Sequence, residues 1–187
     1  RTKSRGLGDV YKRQHYILTL YEKRVDSADL PFFIEVMQVL AESGLNCPLP
    51  VTARDGSILQ ELQGRPCAIF TFLDGTWSRF PNREKCAELG RTLATMHLNC
   101  APVKLRRPNA LGPAAWQPVL DSIGPQADIV GDGMHDAIRQ RLDNILAAWP
   151  TDLPSGVIHA DLFPNNVLFI GDRLTGVIDF YFACDDI

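Results

Sequence analysis

The sequence predicts an α+β fold in which a small sheet-and-helix part leads into a mainly helical part that closes on a β-hairpin. Three observations predict it. Short β-type runs surround one amphipathic helix up to residue 73. From residue 84 the apolar residues recur mostly at helical spacing. Two runs rich in β-branched and aromatic residues then return at 167–170 and 174–180, around a turn at Gly171-Asp172-Arg173.

The elements follow in order. Residues 15–21 (HYILTLY) alternate well enough for a strand. Residues 26–29 offer helix-capping side chains ahead of Leu30-Pro31, and Phe32, Phe33, Val36, Val39 and Leu40 then repeat as one helical face. Gly44 stands where a left-handed residue ends that helix. Asp55-Gly56 is a turn signal before strand candidates at 58–62 and 66–73. Asp74-Gly75 breaks the pattern. A helix at 84–98 is expected to carry Cys86, Leu89, Leu93, Ala94 and His97 on one face. A Pro- and Arg-rich connector at 102–113 comes next, then a helix at 134–149 stopped by Pro150.

Bulk properties narrow the class. A chain of 187 residues suits one ordinary domain or two small lobes sharing a cleft. No run approaches the ~18 apolar residues of a membrane span, so no membrane partner is expected. The five cysteines, at 47, 67, 86, 100 and 184, are odd in number and form no C-x-x-C pair. They read as reduced packing thiols, hence a cytoplasmic protein. The net charge of −3 conceals a split: residues 1–14 hold five Arg or Lys and one Asp, contributing +4 and leaving −7 for residues 15–187. An acidic body argues against a nucleic-acid partner. The basic leader reads as non-native and is set apart from the fold.

The chemistry sits near the end. His159-Ala160-Asp161 is followed five positions after Asp161 by Asn166, and thirteen further on by Asp179 within an apolar run. That spacing is the one phosphoryl transfer uses: a carboxylate to accept the hydroxyl proton, then oxygen ligands for Mg²⁺. Asp161 takes the catalytic role; Asn166 and Asp179 take the metal. The hairpin between them brings Asn166, opening one strand, and Asp179, ending its partner, to the same edge. Pro164 keeps the intervening loop out of helix by restricting Phe163. Single Asp and Asn residues near strand ends are commonly turn formers, which is the competing reading. His159 is expected as a buried or loop-bracing imidazole, because the base is already assigned.

With this order in place, the chain resembles the aminoglycoside-phosphotransferase-like kinases and, within them, the homoserine kinases. The segments that carry the resemblance are YILTLYE at 16–22, LNCPLP at 45–50, RPN at 107–109, GVIHADLFPNNVLF at 156–169 and GVIDFYFAC at 176–184. The resemblance implies a bilobal protein-kinase-like fold, truncated at both ends, with a partial nucleotide-binding lobe at 15–74 and a partial catalytic lobe at 75–187. It implies ATP and Mg²⁺ as cofactors, L-homoserine as the small-molecule substrate, and O-phospho-L-homoserine, on the way to threonine, as product. The hinge falls at 70–73, so the backbone of Thr71 and Leu73 is placed to hold the adenine edge; a plain strand end reads the same. Glu35 is placed like the helix Glu that pairs with a phosphate-binding Lys, or else is an exposed helix residue. Arg107, with Arg106, is the candidate for the substrate carboxylate, or else part of a solvated loop.

One departure stands out. Thr19 occupies the strand position where the phosphate-binding Lys is expected. Lys23 is the nearest substitute, but four residues move it about 13 Å along an extended chain. Two other readings therefore stay open: a related kinase acting on an aminoglycoside or choline, and a non-catalytic nucleotide-binding module. A nucleic-acid-binding reading rests only on residues 1–14.

Overall fold

The computed structural model describes residues 15–22 and 25–187. Strand β1 (Tyr16–Leu20) and strand β2 (Gln60–Leu62) both pair antiparallel with β3 (Arg65–Thr71), giving a three-stranded sheet of order β1-β3-β2. Helix α1 (Leu30–Glu42) lies between β1 and β2 in sequence, and Pro31 in its first turn is tolerated because that N–H has no helical partner. Seven of its residues are buried, among them Leu30, Phe33, Val36 and Leu40, so this helix is the centre of the core. The expected Gly44 terminator has φ 88°.

Helix α2 (Arg83–Asn99) is capped by Asn82, whose side chain accepts from Lys85 N–H. Its buried face differs from the expected one. Met96 is buried, Leu89 and Leu93 are half-buried, and Cys86, Ala94 and His97 are exposed. Helix α3 (Pro113–Ile123) has no counterpart in the sequence reading, because the internal Pro118 argues against a helix there. Helix α4 (Met134–Ala147) follows. Among the described residues no helix is long and apolar enough to cross a membrane, and all five cysteines are free thiols.

Two small antiparallel pairs complete the fold. Strand β4 (Gly156–Ile158) pairs with β7 (Cys184–Asp186), and β5 (Val167–Ile170) pairs with β6 (Arg173–Val177) as the expected hairpin. The main core cluster joins α1 residues to Phe70, Val157, Val177 and Phe180, so it includes residues from both sides of position 74.

Where the two sides meet, the chain at 73–76 lies directly on the hairpin. Thr76 exchanges both backbone hydrogen bonds with Phe169 at 2.9 Å, and Thr175 Oγ1 donates to Asp74 O at 2.7 Å. Gly75 has φ 140°, and a Cβ there would sit 2.4 Å from Thr175 Oγ1 and 3.2 Å from Phe169 N. Only glycine permits this approach.

Candidate functional site

The loop after β4 is built around His159. Asp161 N–H donates to His159 Nδ1 at 3.3 Å, so Nδ1 is unprotonated, and Nε2 is then the donor to Ile178 O at 3.0 Å. The ring is 1% exposed and packs on Phe180 at 4.7 Å between centroids. Burial pushes its pKa below the ordinary 6.5, which matches a neutral imidazole holding two backbone groups. His159 thus ties the residue before Asp179 to the backbone of Asp161.

Asn166 sits in a 3₁₀ turn (Pro164–Asn166) at the foot of β5. Its Nδ2 donates to Asp161 O at 2.7 Å and to Asp161 Oδ2 at 3.1 Å. Its own carbonyl accepts from Ile178 N–H at 3.0 Å, so the hairpin register sets Asn166 opposite the residue before Asp179. Asp179 does not end β6. It lies two residues beyond, in the left-handed region at φ 66°, and Ala160 has φ 59° in the facing loop. A non-glycine residue there is uncommon and points to a constrained site.

Electrostatics link the two carboxylates. Burial raises the Asp179 pKa above the ordinary 3.8, and the nearby Asp161 carboxylate raises it further; His159 and the Tyr181 N–H act in the opposite direction. Two like charges held near one another favour a cation between them. Among the described residues no group of three or more His, Cys, Asp or Glu is arranged to hold a metal. Mg²⁺ does not need one: it binds through one or two carboxylates with phosphate and water oxygens. The donor set Asp179 with the Asn166 amide oxygen fits that habit.

Beside Asp179 a cavity of about 400 Å³ runs between the sheet and the hairpin. Ile17, Thr19, Phe70, Thr71 and Leu73 line it from one side, Leu168, Ile178, Asp179 and Tyr181 from the other, and Met37 from α1. Thr71 and Leu73 are thus in the cleft, but Thr71 is already engaged: its N–H donates to Leu49 O and its Oγ1 accepts from Leu49 N–H, both at 2.9 Å.

Two expectations are corrected. Glu35 does not face the cleft; its oxygens accept from Lys104 N–H and Leu105 N–H at 2.9 Å each, anchoring the connector. Met37, two residues on, is the α1 side chain that reaches the cavity. Arg107 is no open carboxylate receptor. Its Nε donates to Asp29 Oδ2 at 2.6 Å, one terminal nitrogen donates to Ala183 O at 3.1 Å, and the guanidinium lies 5.2 Å from the Phe33 ring centroid. Arg106 pairs with Asp185 at 3.1 Å. Lys23 and the leader at 1–14 lie outside the described residues.

The sequence reading also missed Tyr181. Its hydroxyl accepts from Tyr21 OH at 3.4 Å, and the Thr19 hydroxyl faces the same oxygen. The signal was present in the alternation Ile17, Thr19, Tyr21, which puts these three on one face of the same extended run.

Residues 4–186 match the family model described as "phosphotransferase enzyme family" (APH). Similar curated proteins include a homoserine kinase of Rhizobium etli, 54% identical over 171 residues, covering 91% of this chain and 53% of that one. Another is a homoserine kinase of Bradyrhizobium diazoefficiens, 55% identical over 172 residues, covering 91% and 53%. The chain therefore spans about half the length of the curated relatives it matches. Among solved structures, an amicoumacin kinase in complex with AMP-PNP and Ca²⁺ superposes with a TM-score of 0.76 at 17% identity, covering 94% of this chain and 55% of that one. A spectinomycin phosphotransferase in complex with ADP superposes at 0.70 and 16%, covering 93% and 58%. At that identity the likeness establishes the fold: the mixed sheets and helices are those of the kinase-like phosphotransferases.

Proposed function

The chain belongs to the phosphotransferase enzyme family, and within it we propose that the natural protein is an ATP-dependent kinase that phosphorylates the hydroxyl of L-homoserine. The observation that carries phosphoryl transfer is the Asp161–Asn166 bond with Asp179 alongside, at one end of a nucleotide-sized cleft. The choice of homoserine is supported by relatives of that name at 54–55% identity.

In this reading Asp161 accepts a hydrogen bond from the substrate hydroxyl and takes its proton as that oxygen attacks phosphorus. Asn166 fixes the Asp161 carboxylate through Oδ2, so the base needs no reorientation at the moment of reaction. Neutral His159 holds the loop without adding charge beside the base. Asp179 and the Asn166 amide oxygen would hold Mg²⁺. A bound Mg²⁺ supplies neutralisation of the nucleotide phosphates. Leu73, rather than the engaged Thr71, offers backbone to the adenine edge. The product is O-phospho-L-homoserine, and ADP leaves.

The competing substrates are an aminoglycoside and choline, and the competing class is a nucleotide-binding module without turnover. Incubating the natural protein with ATP, Mg²⁺ and each of homoserine, choline and an aminoglycoside separates them. The expected result is ADP release and a phosphomonoester with homoserine alone. Phosphorylation of another alcohol without homoserine turnover overturns the substrate; nucleotide binding with no turnover overturns the enzyme.

A further inference from the structure

At the β1 position where a phosphate-binding Lys is expected stands Thr19, and among the described residues two tyrosine hydroxyls lie near it. Thr19 faces the Tyr181 oxygen from β1, and Tyr21, 5% exposed, donates to it from just past the strand. The Tyr181 ring is held edge-on by two aromatic neighbours, Tyr21 at 5.3 Å and 84° and Phe33 of α1 at 5.7 Å and 90°. On its other side Tyr181 lies two residues after Asp179, within the 3₁₀ turn Phe180–Phe182, and its N–H faces the Asp179 carboxylate. One residue therefore touches the floor of the sheet, the central helix and the turn that carries the metal-site carboxylate.

A lysine on β1 paired with a helix carboxylate would link strand to helix by charge. Among the described residues neither member stands in the cleft: position 19 is Thr, and Glu35 is turned to the connector. The left-handed Asp179 has no side-chain cap of its own turn to hold it.

We infer that Tyr181 is a positioning residue: through Tyr21 its hydroxyl fastens the Asp179 turn to the chain at the end of β1 and so aligns the metal-site carboxylate. The inference rests on the kinase reading above. It concerns the alignment of Asp179, not contact with the alcohol substrate.

The test uses the natural protein and its Tyr181→Phe, Tyr21→Phe and double variants, each keeping the aromatic ring. Steady-state turnover is measured against Mg²⁺ at saturating ATP, with homoserine KM and thermal unfolding in parallel. Tyr181→Phe is expected to raise the Mg²⁺ concentration for half-maximal rate and lower kcat, each by roughly 2- to 10-fold, the range that one net hydrogen bond supplies. Homoserine KM stays unchanged. Tyr21→Phe moves the same two quantities less, and the double variant is no worse than Tyr181→Phe, since both changes break one link. A lowered unfolding temperature with unaltered Mg²⁺ dependence overturns the inference, because a purely structural tyrosine behaves that way. So does an additive double variant. A natural protein with no Mg²⁺-dependent turnover at all overturns the kinase reading itself, independently of Tyr181.

Discussion

The two walls of the cleft are built on opposite principles. The hairpin wall gathers charge: two carboxylates near one another, a neutral imidazole and a buried amide, all tied by short-range bonds. The sheet wall carries no described charged side chain and presents Ile17, Thr19, Phe70, Thr71 and Leu73. The contrast teaches where precision resides. In the kinase reading proposed above, the wall assigned to base and metal is the one laced by hydrogen bonds around Asp161 and Asn166, whereas the wall assigned to a base ring needs only apolar area and one or two backbone groups.

The largest effect comes from removing the base on the charged wall. Asp161→Ala in the natural protein should lower kcat by about 10²–10⁴-fold while leaving ATP affinity nearly intact. Turnover at the normal rate removes Asp161 from the chemistry.

Next is Arg107, which separates scaffold from site. Its side chain is 18% exposed and Asp29 33%, so the pair is only partly shielded. Arg107→Ala should cost about 1–3 kcal/mol in denaturant unfolding, discounted from a fully buried pair, with homoserine KM unchanged. A raised KM at unchanged stability would return Arg107 to the substrate site.

The seam between the walls is sensitive at Gly75. Gly75→Ala puts a methyl into Thr175 and the Phe169 backbone at a φ that side chains rarely adopt, and should cost about 1–3 kcal/mol. An alanine variant as stable as the parent shows that the seam relaxes freely.

The smallest effect is a pH dependence. The His159 pKa is depressed in the fold, so the unfolded chain binds more protons just below 6.5. Its contribution to stability is present above that value and is lost as pH falls through the folded one. Asp179, with a raised pKa, acts in the opposite sense: its contribution is lost as pH rises through its folded value, above 3.8. The unfolding temperature should therefore decline as pH is lowered below 6.5, and His159→Gln should flatten that decline. An identical slope in both proteins contradicts the neutral-imidazole assignment.

The charged wall was far more legible in the sequence than anything else. Its spacing, its turn signal at Gly171-Asp172-Arg173 and the run on each side are all local signals, and β5 and β6 formed within three residues of their expected ends. What escaped was non-local or disguised. Glu35 and Arg107 are defined by partners 69 to 78 positions away, which no local pattern reveals. Helix α3 was hidden by Pro118. The face of α2 differs because apolar spacing alone does not mark the buried side: Cys86 and Ala94 are exposed, whereas Met96 is buried. The left-handed Asp179 was not read, because Asp adopts that conformation only occasionally and the apolar run around it reads as a continuing strand.

Calorimetric titration of ATP into the natural protein, with and without Mg²⁺, compared with the Asp179→Ala variant, tests the charged wall most directly. Mg²⁺ should tighten ATP binding in the parent and make no difference in the variant. A variant that responds to Mg²⁺ as the parent does would mean that Asp179 holds no metal, and that the three residues of the hairpin wall do not form one site.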